Sequence, residues 1–208
     1  MEQHSGDSRG PVIGLTGNIA CGKSTVLRML RDLGAHTIDA DELTHRALAV
    51  DGAAYSGVVQ AFGQSILGEA GEINRRVLGQ RVFSDATELR RLEELVQPHV
   101  RADILGILSA RSSPVVVDAI KLIEAGLARL CDEVWVVRCR PEQQVARLME
   151  RNGYTREEAL LRIGAQPPQE EKLRVADVVI DNETGLEETR RQVAAAWERT
   201  VSEKGQGP

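Results

Sequence analysis

The stretch Val12-Ile13-Gly14-Leu15-Thr16-Gly17-Asn18-Ile19-Ala20-Cys21-Gly22-Lys23-Ser24-Thr25 decides the fold. An apolar, β-branched run is followed at once by G-x-x-x-x-G-K-S and then by the helical pattern of TVLRMLRDLG, which is the strand, phosphate loop and helix of a P-loop. Glycines let the backbone turn tightly and aim amide hydrogens at phosphate oxygens, while the new helix adds the positive end of its dipole. Residues Gly17 to Thr25, with Gly17, Asn18, Ile19, Ala20, Cys21, Gly22, Lys23, Ser24 and Thr25 all included, are therefore the expected ATP-binding loop. Lys23 is expected to neutralise the β- and γ-phosphates, and Ser24 to ligate Mg²⁺. Cys21 in the loop invites a redox role, since a helix N-terminus lowers a thiol's pKa. The plainer reading is that a small residue is required there.

Four more β-rich runs follow: His36 to Asp39, Pro114 to Ala119, Glu133 to Arg138 and Asp177 to Asp181. With Val12 to Thr16 they predict a five-stranded parallel sheet buried on both faces between helices, a three-layer α/β fold. About seventy residues of helical pattern separate the second and third runs, at 41–50, 53–62, 75–83 and 87–109. A parallel crossover needs only a dozen or so residues, so 41–109 reads as an inserted helical lobe. A second excursion, 141–170, reads as a helical hairpin suited to a lid: one helix stops at Asn152-Gly153, and the next starts with Thr155 as N-cap and Glu158 in the capping-box position. The nucleotide-binding core is then 11–40, 110–140 and 171–203. LEETRRQVAAAWERTV closes the chain as an amphipathic helix, SEKGQGP is expected to fray, and residues 1–10 to form a disordered tail.

Of the 208 residues, 42% are hydrophobic and only 3% aromatic, so the core must be mainly Leu, Val, Ile and Ala. A net charge of −5 argues against a broad nucleic-acid surface. Three cysteines without metal-type spacing, no signal-like N-terminus and no apolar run near the roughly 20 residues that span a bilayer predict a cytoplasmic protein without a membrane partner. Oligomeric state is left open by the sequence.

Asp39-Ala40-Asp41 closes the second strand, at the sheet edge where ligands bind in open α/β folds. Asp39 is a candidate metal ligand. Asp41 has two readings of equal weight from spacing alone: a carboxylate that positions and deprotonates an acceptor hydroxyl, or an N-cap of the following helix.

These segments together resemble the dephospho-coenzyme A kinase family. VIGLTGNIACGKSTV, IDAD, RLMERNGYTREEALLRIGAQ and ADVVIDN agree with it in order and spacing over roughly residues 11 to 200. The resemblance implies a P-loop kinase fold in which 41–109 binds the acceptor, and a reaction in which ATP phosphorylates the ribose 3′-hydroxyl of dephospho-coenzyme A with Mg²⁺. It implies that Asp41 is the base, that Arg147 in P-E-Q-Q-V-A-R reaches the transferring phosphate, and that Arg75 and Arg76 belong to the acceptor side. Asn182 would lie beside the adenine. Arg151, one turn beyond Arg147, can face the same site.

Two stretches depart from the family pattern. Ile120-Lys121-Leu122-Ile123-Glu124 stands where a Pro-Leu-Leu-Phe-Glu-like run is usual, with Lys121 either a compensating phosphate contact or a solvent-facing side chain, and Gln97-Pro98 replaces His-Pro, with His99 displaced by two. Another small-molecule kinase of the same class is the rival reading. A regulatory GTPase is disfavoured, since Asn-Lys-x-Asp is not found in the sequence and the D-x-x-G matches, Asp7–Gly10 and Asp103–Gly106, lie in the polar N-terminal stretch and inside a helical pattern, not at the end of a β-rich run.

Overall fold

A computed structural model describes residues 10–83 and 85–204. The element order is β1 (Val12–Thr16), α1 (Lys23–Asp32), β2 (His36–Asp39), α2 (Ala40–Ala47), α3 (Tyr55–Phe62), α4 (Arg75–Phe83), α5 (Ala86–Ser109), β3 (Val115–Asp118), β4 (Glu133–Arg138), α6 (Pro141–Asn152), α7 (Arg156–Gly164), α8 (Gln169–Leu173), β5 (Val178–Asp181) and α9 (Leu186–Lys204). Short 3₁₀ turns stand at Gln64–Ile66 and Leu127–Leu130. The chain divides into two compact units, one running up to Ile38 and resuming at Ala110, the other Asp39–Ser109.

The sheet order is β2-β3-β1-β4-β5, and β1 pairs in parallel with both β3 and β4. The P-loop strand is thus central, with neighbours supplied from far along the chain. β1 and β3 are buried throughout, whereas β2 and β5 at the edges are not: His36 and Asp39 are exposed, and so is Val179 between buried Val178 and Ile180. Expecting burial on both faces therefore holds for the inner strands and fails for the outer two, because an edge strand has a packed neighbour on one side only.

On one face Val26, Leu27, Met29 and Leu30 of α1 join Val193, Ala196 and Trp197 of α9 over Ile13, Leu15, Trp135 and Val137. Across β1, Gly14 has no room for a side chain, since a Cβ would meet Leu122 Cδ2 at 2.7 Å and Cys131 Sγ at 2.9 Å. The segment 122–131 forms the third layer. Glu133, 7% exposed at the start of β4, is satisfied by Trp135 Nε1 at 2.9 Å and Thr200 Oγ1 at 2.8 Å, so a carboxylate joins the last helix to an inner strand.

In the helical unit, α2, α3 and α4 all pack against α5, whose Val96, Val100, Ile104 and Leu108 are buried one turn apart. Arg81 and Arg91 place their guanidinium groups 5.2 and 5.7 Å from the centre of the Phe62 ring.

The hairpin 141–164 has the boundaries its punctuation predicts. Gly153, at φ 68°, ends α6, and Thr155 caps α7 with Glu158 reciprocating at 2.8 Å. The expected tails need correction at both ends. Gly10 is packed against Pro114, its carbonyl accepting from Arg111 Nε at 3.0 Å, and Ser202 to Lys204 continue α9. The rest of both tails lies outside the described residues.

Trp135 is fully buried under α1 and α9. Trp135→Ala is expected to cost about 3 to 5 kcal/mol, read as a lower urea midpoint at unchanged m-value.

Candidate active site

A cavity of about 550 Å³ opens over the phosphate loop. Its floor is Gly17 to Ala20 and Gly22 to Thr25, one wall is Arg147, Glu150 and Arg151 of α6, and the other is Asn182, Gly185 and Leu186. The structure thus brings Arg147, Arg151 and Asn182 to the loop. Cys21 does not face this space. It is fully buried, donates to Gln169 Oε1 at 3.3 Å and sits beside Cys139, whose thiol hydrogen bond holds the Cys21 pKa down against the opposing effect of burial. The same coupling and burial push Cys139 up. Cys21 is a buried residue of the core cluster.

Two glycines are sterically required. A Cβ on Gly17 would lie 2.6 Å from the Val137 carbonyl oxygen, because β4 runs against the loop's root. Gly22 has φ 97°, and a Cβ there would lie 2.0 Å from Asn182 Nδ2.

Lys23 forms an ion pair with Asp118, the last residue of β3, and both side chains are largely buried, at 15% and 8% exposure. Asp118 is the residue the sequence reading passed over. The signal was present: VVVD is an apolar strand ending in a carboxylate at the sheet edge that carries the P-loop, the same argument applied to Asp39 and Asp41 but not carried to the third strand. The carboxylate partner fixes the position of the loop lysine.

The loop's backbone is braced from outside. The Ile19 amide donates to Gln166 Oε1 at 2.7 Å, and the Ile19 carbonyl accepts from Gln144 Nε2 at 2.7 Å. Asn18 Nδ2 donates to the Pro167 carbonyl at 3.0 Å, and Asn182 Nδ2 to the Cys21 carbonyl at 2.8 Å. Arg147 donates from Nη1 to the Ala20 carbonyl at 3.1 Å and from Nη2 to the Asn182 carbonyl at 2.8 Å. Asn182 therefore supports the loop through its side chain as well as lining the cavity, which its place in the motif did not reveal. Val145, Leu148 and Ala159 of the hairpin form an apolar patch against which Ile19 and Ala20 pack.

At Asp39-Ala40-Asp41, the cap is Asp39: its Oδ1 accepts the Asp41 amide at 2.9 Å and the Glu42 amide at 3.0 Å. The capping role that competed for Asp41 belongs to its neighbour. Arg75 and Arg76 are exposed in the first turn of α4, behind Asn74, whose Oδ1 accepts from the Val77 amide at 3.2 Å. Lys121 is exposed, and it is Ile120 of that turn that lines the cavity. His99 lies two residues beyond Gln97, about 200° around α5, so it cannot stand in for a side chain at 97. It lines a separate cavity of about 500 Å³ within the helical unit, with Arg46 and Asp103. Among the described residues no helix is long and apolar enough to cross a membrane.

A central parallel strand feeding a glycine loop, a lysine at the first turn of the next helix, a strand-end carboxylate and a guanidinium overhead define a P-loop phosphotransferase of the small-molecule kinase type. Known proteins narrow this further. The family model for dephospho-CoA kinase matches residues 11–188, and the chain belongs to that family. It is 46% identical over 187 residues to a dephospho-CoA kinase of Carboxydothermus hydrogenoformans, covering 88% of this chain and 91% of the relative, and 46% identical over 187 residues to one of Geobacillus kaustophilus, covering 88% and 93%. Among solved structures it resembles TT1252 from Thermus thermophilus, with TM-score 0.82 and 34% identity over 93% of this chain and 98% of that one. Dephospho-CoA kinase from Campylobacter jejuni follows at TM-score 0.67 and 27% identity, covering 92% and 97%. A shikimate kinase from Acinetobacter baumannii, at TM-score 0.51 and 17% identity over 92% and 93%, shares the fold alone.

Removing the Asn182 amide releases the Cys21 carbonyl and Thr189 together. Asn182→Ala is expected to raise the KM for the nucleotide by roughly ten- to a hundredfold, the worth of one or two buried hydrogen bonds, in steady-state assays with nucleotide varied.

Proposed function

We propose that the chain transfers the γ-phosphoryl group of ATP to the ribose 3′-hydroxyl of dephospho-coenzyme A, the last step of coenzyme A synthesis. What carries this reading is one cavity, in a chain of that family, where the phosphate loop meets the Lys23–Asp118 pair and Arg147. In it, the triphosphate lies on the amides of Gly22 to Thr25, and Lys23 leaves Asp118 for the β- and γ-oxygens. Arg147 is held over the loop by two carbonyls with further N–H donors to spare, and it stabilises charge spread over the transferring group. Closure of the α6–α7 hairpin as a lid shields the reaction from water.

Among the described residues no cluster of three or more His, Cys, Asp or Glu side chains could hold a metal. Mg²⁺ typically uses one or two protein groups and takes the remainder from phosphates and water, so the hydroxyl of Ser24 at the cavity floor suits it. Ser24 would hold it with support from Asp118, and it would neutralise charge across the β- and γ-phosphates. Asp39 is the weaker candidate, since its Oδ1 already caps α2.

Asp41 is the base for the acceptor hydroxyl. The helical unit 39–109 receives the acceptor. Arg75 and Arg76 stand beside the positive end of α4, where cations are disfavoured unless an anion joins them, and the acceptor's pyrophosphate is such an anion. Lys121 supplies a further charge on the acceptor side. The protein works in the cytoplasm, with ATP and dephospho-coenzyme A as its partners and with neither nucleic acid nor membrane.

A coupled ADP-release assay across dephospho-coenzyme A, nucleosides and nucleoside monophosphates tests the substrate. Turnover confined to a nucleotide would replace the reading with another small-molecule kinase. Lys23→Ala, Asp41→Asn and Arg147→Ala are each expected to lower kcat by roughly 10² to 10³ with the fold intact. A near-wild-type kcat for Asp41→Asn removes it from the base role, and an Arg147 effect confined to acceptor KM makes it a binding residue. For the metal site, Asp118→Asn is expected to raise the Mg²⁺ concentration needed for half-maximal rate, and Asp39→Asn to leave it nearly unchanged.

A further inference from the structure

Between the hairpin and β5, residues Gln166 to Lys172 touch two different parts of the site. Gln166, Pro167 and Gln169 bond Ile19, Asn18 and Cys21 of the phosphate loop. Lys172 reaches the other way. Its ammonium donates to the Ile120 carbonyl at 2.7 Å and to Glu124 Oε1 at 2.9 Å, inside the turn that follows β3. That turn carries Ile120, a wall of the cavity, and Lys121. The Ile120 carbonyl also accepts from Thr16 Oγ1 at 3.0 Å, one residue before the phosphate loop begins. A single carbonyl is thus held from the loop's root and from the strap downstream of the hairpin.

We infer that Lys172 is a positioning residue for acceptor binding, and that segment 166–172 is the strap by which the phosphate loop and the Ile120–Glu124 turn are kept in register. This inference rests on the kinase reading given above.

Lys172 is only 3% exposed, whereas its partner Glu124 is 33% exposed. Lysine is almost never so deeply buried unless paired, and stripping water from an ammonium is costly. Stability does not account for it, because replacing a buried ion pair by apolar groups of similar volume is often neutral or stabilising. What a methionine or leucine cannot supply is a bond to a particular carbonyl. The turn's own backbone bonds run from Ala125 to Lys121, Gly126 to Ile123 and Leu127 to Leu122, whereas the Ile120 carbonyl at its start is held by the side chains of Thr16 and Lys172. Freed from Lys172, the Ile120 carbonyl keeps Thr16 alone, and Lys121 moves with the turn. The phosphate loop keeps all its own braces. The consequence therefore falls mainly on the acceptor, through Lys121, with a smaller effect through Ile120 on the wall of the phosphate-loop cavity.

The test is Lys172→Met in the full chain, with KM measured separately for ATP and dephospho-coenzyme A. Acceptor KM is expected to rise roughly tenfold, the worth of one net hydrogen bond, while ATP KM stays within about twofold and Lys172→Arg recovers part of the loss. Because Glu124 can turn to water, Lys172→Met should fold. If it does not, Glu124→Gln keeps the lysine and must show a smaller shift of the same one-sided kind. A folded Lys172→Met with unchanged acceptor KM overturns the inference, as does a parallel rise in both KM values with a lowered Tm, which is what a merely structural lysine would produce. If the wild type does not phosphorylate dephospho-coenzyme A, the substrate reading fails instead. The same comparison is then made with whichever acceptor the panel identifies.

Discussion

A loop that must present amide hydrogens to a ligand can spend few of them on itself, here those of Cys21 and Thr25 on the Asn18 and Gly22 carbonyls, and this constraint organises the nucleotide-binding unit. Buried backbone groups need partners, so those of the loop that do not point at phosphate have to be satisfied from elsewhere. The carbonyls of Ile19, Ala20 and Cys21 go to Gln144, Arg147 and Asn182, and the Ile19 amide goes to Gln166. Each brace comes from at least 120 residues along the chain. The sheet order follows the same need: β1 lies between β3 and β4, so that Asp118 flanks the loop on one side, while Val137 approaches so closely on the other that only glycine fits at 17.

The braces share a chemical type. Gln144, Gln166, Gln169 and Asn182 are neutral amides, which can donate and accept without adding charge next to a triphosphate. Charge at the cavity comes instead from Lys23, paired with Asp118, and from Arg147, Glu150 and Arg151 of α6. Lys23 and Asp118 neutralise one another, and the exchange of Asp118 for phosphate replaces one ion pair by another.

Much of this was legible in the sequence. The P-loop, the five strands, the helical insertion and the hairpin's punctuation are local patterns, written in glycine, β-branched residues and capping side chains, and local patterns survive folding. Lys23, Arg147 and Asn182 followed from motif and resemblance, and they do meet at one cavity. Hidden were the contacts that depend on topology. Nothing near VVVD says that β3 lies beside β1, so Asp118 looked like any strand end. Gln144 and Lys172 sit in helices among exposed charged neighbours such as Glu142 and Glu170, and only the packed structure shows them buried. Exposure of the edge strands was missed for the same reason, since strand order is not written in any one strand. Asp39 and Asp41 were separable only once backbone geometry showed which carboxylate lies against the helix's first amides.

The order in which the braces occur has a consequence for synthesis. Chains emerge from the ribosome N-terminus first, so the phosphate loop is made early, and Asp118, Gln144, Gln166 and Asn182 arrive in succession behind it. The clasp between Glu133 and Thr200 closes last, drawing α9 onto the sheet. A nascent chain that stops short of Asn182 holds the loop's sequence without the brace on the Cys21 carbonyl.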